Sequence, residues 1–132
     1  MTEEEARTFL LGLYDRLIRH TPDLETLSRY ITDDFIAYSD GVTMNREEFA
    51  AHLDLLRQKL RTFEVKFKKI IASQDCIAAI LIVDFFTDTE SHSIIQVNAF
   101  YSLRDGKVAG LDEMSQLVSG SEADRGLVAR SS

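Results

Sequence analysis

The sequence predicts an α+β fold, with helices placed ahead of a mostly antiparallel sheet, on three observations. Apolar residues recur at helical spacing through about residue 60, the period changes to two after residue 62, and a chain of 132 residues that is 45% hydrophobic can bury one core unaided. Such a sheet must cover its inner face, so the strands are expected to curl around the helices and enclose a conical cavity.

Thr2 and Glu5 form a capping-box pattern, and Leu10, Leu13, Tyr14 and Leu17 follow at helical spacing, which predicts a helix over about 3–19. Thr21-Pro22 offers a cap and a first-turn proline to a short second helix striped by Leu24, Leu27 and Ile31. A strand is expected over about 35–39. Asn45 with Glu48 then forms a second capping box, Met44 and Phe49 its hydrophobic staple, and Phe49, Leu53, Leu56 and Leu60 the inner face of a third helix. Phe63, Val65 and Phe67 alternate with Glu64, Lys66 and Lys68 in the next strand. Residues 76–87 are apolar on both faces, as a central strand covered on each side tolerates. A further strand runs over about 92–103, and Asp105-Gly106 suits a type I′ turn into a last strand over 107–118. Residues 1–118 read as one domain and 119–132 as a flexible tail.

The charge balance narrows the function. With 22 Asp and Glu against 15 Lys and Arg, the formal net charge is -7, and no broad positive field is available for nucleic acid or anionic lipid. The longest apolar run, Cys76 to Val83, is too short to span a bilayer, and Thr2-Glu3-Glu4-Glu5 is the reverse of a cationic secretory start, which points to a cytoplasmic protein. The single cysteine, Cys76, reads as a buried apolar residue. His20, His52 and His92 lack ligand spacing, so no metal is expected, and His52, next to the inner Leu53, is expected to be exposed, with a position leaning over the cavity mouth as the alternative. Arg57, Lys59, Arg61, Lys66, Lys68 and Lys69 read as a solvated basic face. Neither a Gly-rich phosphate loop nor a Gly-x-Ser-x-Gly elbow occurs.

Two stretches are distinctive: Tyr30-Ile31-Thr32-Asp33-Asp34-Phe35 before the first strand, and Phe100 to Val108 continuing through Leu111-Asp112-Glu113. With the order and length of the elements over about 5–118, they resemble the nuclear-transport-factor-two-like superfamily, which includes ketosteroid isomerases, limonene epoxide hydrolases and SnoaL-like polyketide cyclases. The resemblance implies a cone-shaped α+β barrel of cystatin-like type, with three N-terminal helices packed on a strongly curved, mostly antiparallel sheet. Enzymes and non-enzymes share these signatures, so they name no reaction.

Similarity to the isomerases implies that Tyr14 is their helix-one tyrosine and that Asn98 stands where their strand-four acid would be. Ser39 takes the place of their base, with Asp40 one position beyond. Similarity to the epoxide hydrolases implies that Tyr38 and Asp40 stand for a water-holding pair and Asp84 and Glu113 for two carboxylates. The arginine between those carboxylates is Ile82 here, which argues against epoxide hydrolysis by that route. Both comparisons put Ile82, Asp84 and Phe86 on one strand face, Gln96, Asn98 and Phe100 on another, and Leu111 with Glu113 on a third, all turned inward. Phe49, Leu53 and Leu56 complete an apolar lining.

Each candidate also has a plainer reading: Asp84 as a structural hydrogen bond, Asp40 as a turn residue, Tyr14 as core, and Gln96 with Asn98 as a mutual pair. Asp112 and Glu113 exchange faces if the register slips by one. The expected function is therefore a small cofactor-independent enzyme that transfers a proton on an apolar carbonyl compound, as an isomerase or cyclase does. In it Asp40 or Asp84 is the base, and Tyr14 or Asn98 stabilises the enolate oxygen. The alternative is a non-catalytic ligand-binding or dimerisation module. A homodimer is expected through the outer sheet face, formed by Ile77, Ala79, Leu81, Val83 and Phe85 with Ile95, Val97, Ala99 and Tyr101.

Overall fold

A computed structural model describes residues 1–20 and 23–120. Helix α1 (Glu3–Ile18) opens with the Thr2/Glu5 capping box, each partner reaching the other's backbone N–H. Helix α2 (Leu24–Tyr30) is capped by Asp23, whose carboxylate accepts from the Thr26 N–H at 2.7 Å; the expected cap, Thr21-Pro22, lies outside the described residues. Strand β1 (Ile31–Ser39) starts four residues earlier than its apolar core suggested, and β2 (Val42–Asn45) is a short strand that the sequence did not announce. Helix α3 (Arg46–Lys59) carries the Asn45/Glu48 capping box. Strands β3 (Leu60–Ala72), β4 (Cys76–Thr87), β5 (His92–Arg104) and β6 (Lys107–Ser119) complete the chain. Of the expected tail, Ser119 ends β6, and residues 121–132 lie outside the described set.

The six strands form one mixed sheet in the order β2-β1-β6-β5-β4-β3, with β1 and β6 parallel and every other pair antiparallel. This corrects the expected cone-shaped barrel. The edges β2 and β3 do not meet, and the sheet is neither closed nor strongly curled. Closure is not needed to bury the inner face. Helix α1 packs on β3 and α3, α3 on β1 and β2, and α2 on β1 and β6, so the helices themselves cover it.

Which residues face the helices is settled by hairpin register. Across the tight turn at Asp105 and Gly106, both with positive φ, Arg104 pairs with Lys107 and Leu103 with Val108. An uninterrupted ladder would then set Phe100 opposite Leu111. Instead Ala109 is an extra residue in β6, so Ser102 pairs with Gly110 and Tyr101 with Leu111. That bulge reverses the parity of β5 relative to β6, and the unbroken β4–β5 ladder carries the reversal into β4. The buried side chains are consequently Ile77, Ala79, Leu81, Val83, Phe85, Ile95, Val97, Ala99 and Tyr101, the set that the sequence assigned to the outer face.

Two smaller expectations, for His52 and Cys76, are also corrected. His52 is buried, because α3 is covered on the wider stripe Phe49, His52, Leu53 and Leu56. Cys76 is half-buried at the start of β4, with its sulfur 3.3 Å from the Ser73 hydroxyl. The paired acids Asp33 and Asp34 act as fasteners outside the core: Asp33 binds the nearly buried Arg46 of α3 at 2.8 Å, and Asp34 binds Arg104 of β5.

Candidate active site

Between the helices and the inner sheet face, Tyr14, Ile18, Phe49, Leu53, Leu56, Phe63, Val65, Leu81, Val83, Val97, Leu111 and Glu113 enclose a cavity of about 20 Å³. This is room for about one water, so side chains rather than a conical void fill the interior. The lining is apolar apart from Glu113 and the phenol of Tyr14.

Each polar group there is placed by register. The parallel pairing of β1 with β6 sets Ser39 beside Glu113, and the Ser39 hydroxyl donates to Glu113 Oε1 at 2.9 Å. Tyr101, opposite Leu111, points inward and its hydroxyl meets that of Tyr14, which helix α1 delivers from its fourth turn in a short hydrogen bond. Tyr101 is 1% exposed. Beyond Glu113, Asp40 occupies the β1–β2 turn with φ of 48° next to Gly41 at 85°. Its carboxylate accepts from both the backbone N–H and the hydroxyl of Ser115.

The electrostatics follow from burial. Desolvation raises the Glu113 carboxyl to about 7, with the Asp40 charge adding to the rise and the Ser39 hydrogen bond opposing it. Burial, and then the Glu113 charge, pushes the Tyr14 phenol well up, and burial does the same to Tyr101. Near neutral pH the site therefore contains two protonated phenols and a carboxylate poised between its acid and its base form. It can accept a proton from a weak carbon acid and donate hydrogen bonds to a developing negative oxygen.

The sequence-derived candidates divide into two groups. Tyr14, Glu113, Leu111, Phe49, Leu53 and Leu56 lie on the interior, with Asp40 just beyond Glu113. Ile82, Asp84, Phe86, Gln96, Asn98 and Phe100 lie on the outer sheet face, and Tyr38, 52% exposed, points outward as well. Asp84 is no lone buried carboxylate. It is half-exposed and 2.7 Å from His92 Nε2, whose ring stacks on Phe86. Gln96 donates to Asn98 at 3.1 Å, so those two form the mutual pair of the plainer reading. Asp84 and Glu113 stand on opposite faces, and the two-carboxylate arrangement of an epoxide hydrolase is not assembled. The sequence reading missed Tyr101 as a partner of Tyr14, Ser39 as the donor to Glu113, and Glu113 as the strongest base candidate. The signal for the last was present in the parity it shares with Leu111.

The fold and site define an α+β protein with a tyrosine pair and a desolvated glutamate enclosed between three helices and an open sheet. No family model matches the chain. An uncharacterized protein of Schizosaccharomyces pombe is 27% identical over 124 residues, which are 94% of this chain and 95% of that relative. The fold is like that of solved structures that include SnoaL-like polyketide cyclases. A SnoaL-like polyketide cyclase from Agrobacterium tumefaciens superposes with a TM-score of 0.69 at 12% identity, covering 83% of this chain and 90% of that one. An epoxide hydrolase of Mycobacterium tuberculosis gives 0.67 at 16% identity over 86% and 84%. Wild-type IdmH from Streptomyces antibioticus gives 0.69 at 16% over 83% and 91%. At such identities the likeness is one of fold, and the chemistry has to be read from the site. Among the described residues, no helix is long and apolar enough to cross a membrane.

Proposed function

We propose that the chain is a small enzyme that moves a proton on an apolar carbonyl compound, with Glu113 as the base and the phenol of Tyr14, hydrogen-bonded to Tyr101, as the oxyanion donor. The observation that carries this reading is the desolvated Glu113 carboxyl, raised to about 7, on the same apolar cavity as the Tyr14 hydroxyl. Glu113 takes a proton from the carbon beside the carbonyl. The electron pair of that C–H bond moves to form the enolate, whose oxygen accepts a hydrogen bond from Tyr14, itself hydrogen-bonded to Tyr101. Return of the proton to a different carbon completes an isomerisation. Attack of the enolate carbon on a second carbonyl of the same molecule moves that carbonyl's electron pair onto its oxygen, and transfer of the proton from Glu113 to the resulting alkoxide completes a cyclisation. Neither step requires a cofactor.

A substrate must displace side chains to enter, since the closed cavity is so small. Phe63 is the wall to move: it borders the cavity and also two surface depressions of about 400 and 300 Å³. Screening enone and β-keto compounds for turnover tests the reading. Loss of turnover in both Glu113→Gln and Tyr14→Phe supports it, whereas unchanged turnover in both rejects the mechanism and leaves a module that holds an apolar ligand without converting it.

The chain is further proposed to pair with a second copy through its outer sheet face. Ile71, Phe100 and Met114 are exposed there, 71%, 45% and 73% respectively. Lys69 and Asp112 stand at opposite sides of the groove around Phe100, so a two-fold arrangement is self-complementary in charge.

A further inference from the structure

The acidic chain gathers three arginines at one place beside the candidate active site. A groove of about 300 Å³ is lined by Ile18, Arg19, Arg57, Leu60, Arg61, Thr62 and Phe63, a described lining without a carboxylate. The cations come from three elements: Arg19 from the end of α1, Arg57 from the last turn of α3, and Arg61 from the start of β3. Each has an acidic partner outside the groove lining, Asp15 at 3.2 Å, Asp54 at 2.8 Å and Glu90 at 4.0 Å. Those contacts use only part of each guanidinium. Arg19 is fixed by donating from Nη2 to the Phe63 carbonyl at 2.7 Å, and Arg57 Nε is buried with no hydrogen-bond partner. An unsatisfied buried donor of a charged group is costly unless something accepts from it.

Charge at a helix C-terminus complements the helix dipole, which accounts for Arg57 and Lys59 on α3 and for Arg19 at the end of α1, but not for the convergence of Arg61 with Arg19 and Arg57 on one groove. The groove shares Ile18 and Phe63 with the apolar cavity. A ligand lying across that shared wall would have its polar end among guanidiniums and its apolar body facing Glu113 and Tyr14.

We infer that the Arg19, Arg57 and Arg61 groove binds the carboxylate of an amphipathic ligand whose apolar body enters the interior past Phe63. Guanidiniums suit this group because their planar donors match a carboxylate in pairs. The inference narrows the proposed substrate to apolar carbonyl compounds carrying an acid group. It rests on the active-site reading only for the identity of that substrate, and its test therefore uses binding rather than turnover.

Calorimetric titration of the full chain at low salt with octanoate, 1-octanol and acetate separates the contributions of charge and chain. Octanoate should bind roughly ten-fold or more tighter than octanol, as expected for a charge-assisted hydrogen bond. Arg57→Gln should reduce octanoate to the level of octanol and leave octanol unchanged. Arg61→Gln, on an exposed side chain whose guanidinium makes a 4.0 Å contact to Glu90 and lies 5.3 Å from the centre of the Phe86 ring, keeps the fold and should act in the same direction. Glu113→Gln should preserve the octanoate preference even if turnover is lost, which keeps the two proposals separable. Equal binding of octanoate and octanol, no binding of octanoate, or a preference that survives both arginine changes overturns the inference. So does acetate binding as tightly as octanoate, because the site is then an anion site with no place for an apolar body.

Discussion

Replacing Glu113 by Gln should make the protein more stable at alkaline pH while removing its proposed base. The carboxyl is raised from its ordinary 4.5 to about 7, mainly by desolvation. Between those values the folded chain holds a proton that the unfolded chain has released. Its contribution to stability is fully present below about pH 4.5 and is lost as pH rises through about 7. At about 1.4 kcal/mol per pH unit, ionising Glu113 inside the fold costs roughly 3 kcal/mol by pH 8, an upper bound because water reaching the site would lower it. Glutamine keeps the shape and still accepts from the Ser39 hydroxyl, so the variant avoids that cost. Urea unfolding followed by circular dichroism at pH 4, 6 and 8 measures the effect. The two proteins should be nearly equal at pH 4, and the variant should gain progressively to about 2 to 3 kcal/mol at pH 8. Background carboxylates cancel in the difference. A difference that does not change with pH, or a variant less stable at pH 8, refutes the placement of Glu113 in a desolvated site.

Other outcomes follow from the same geometry. Asp40→Asn removes the charge that helps raise Glu113 and still tolerates the positive φ of the turn, so the rising limb of a pH-rate profile should move to lower pH. Tyr14→Phe should slow turnover by about 10²–10³-fold through loss of an oxyanion donor, and destabilise the chain by about 1 kcal/mol because the buried Tyr101 hydroxyl loses its partner. Thermal unfolding should show that Leu56→Asp fails to fold, since it puts an unpaired charge where Leu56 is 2% exposed. Asp84→Leu should change stability by no more than about 1 kcal/mol, because only a half-exposed contact to His92 is lost. Sedimentation of Phe100→Glu should report monomer where the parent chain is a dimer; a monomeric parent at micromolar concentration removes the proposed outer-face pairing.

Much of the local architecture was legible in the sequence because it depends on neighbours close along the chain. The Thr2/Glu5 and Asn45/Glu48 capping boxes, the bounds of β4 and the two-residue turn at Asp105-Gly106 are all short-range decisions, and the apolar spacing marked the inner faces of α1 and α3. The face of each later strand was a different kind of decision. In residues 76–87 both parities are apolar, so periodicity cannot say which half is covered. The choice passes to hairpin register, and there the extra residue at Ala109 turns Tyr101 inward and Asn98 and Phe100 outward. Leu111 and Glu113 lie on the far side of that bulge and kept their expected face. The cone likewise depended on whether the sheet edges meet, a relation between β2 and β3 that no local pattern encodes. The sequence by itself determined the helices, every strand but β2 and the parity that Glu113 shares with Leu111; only the tertiary structure, through one bulge, the β1–β6 pairing and the coverage supplied by three helices, decided that Tyr101 and Ser39 rather than Asp84 and Asn98 stand near Glu113.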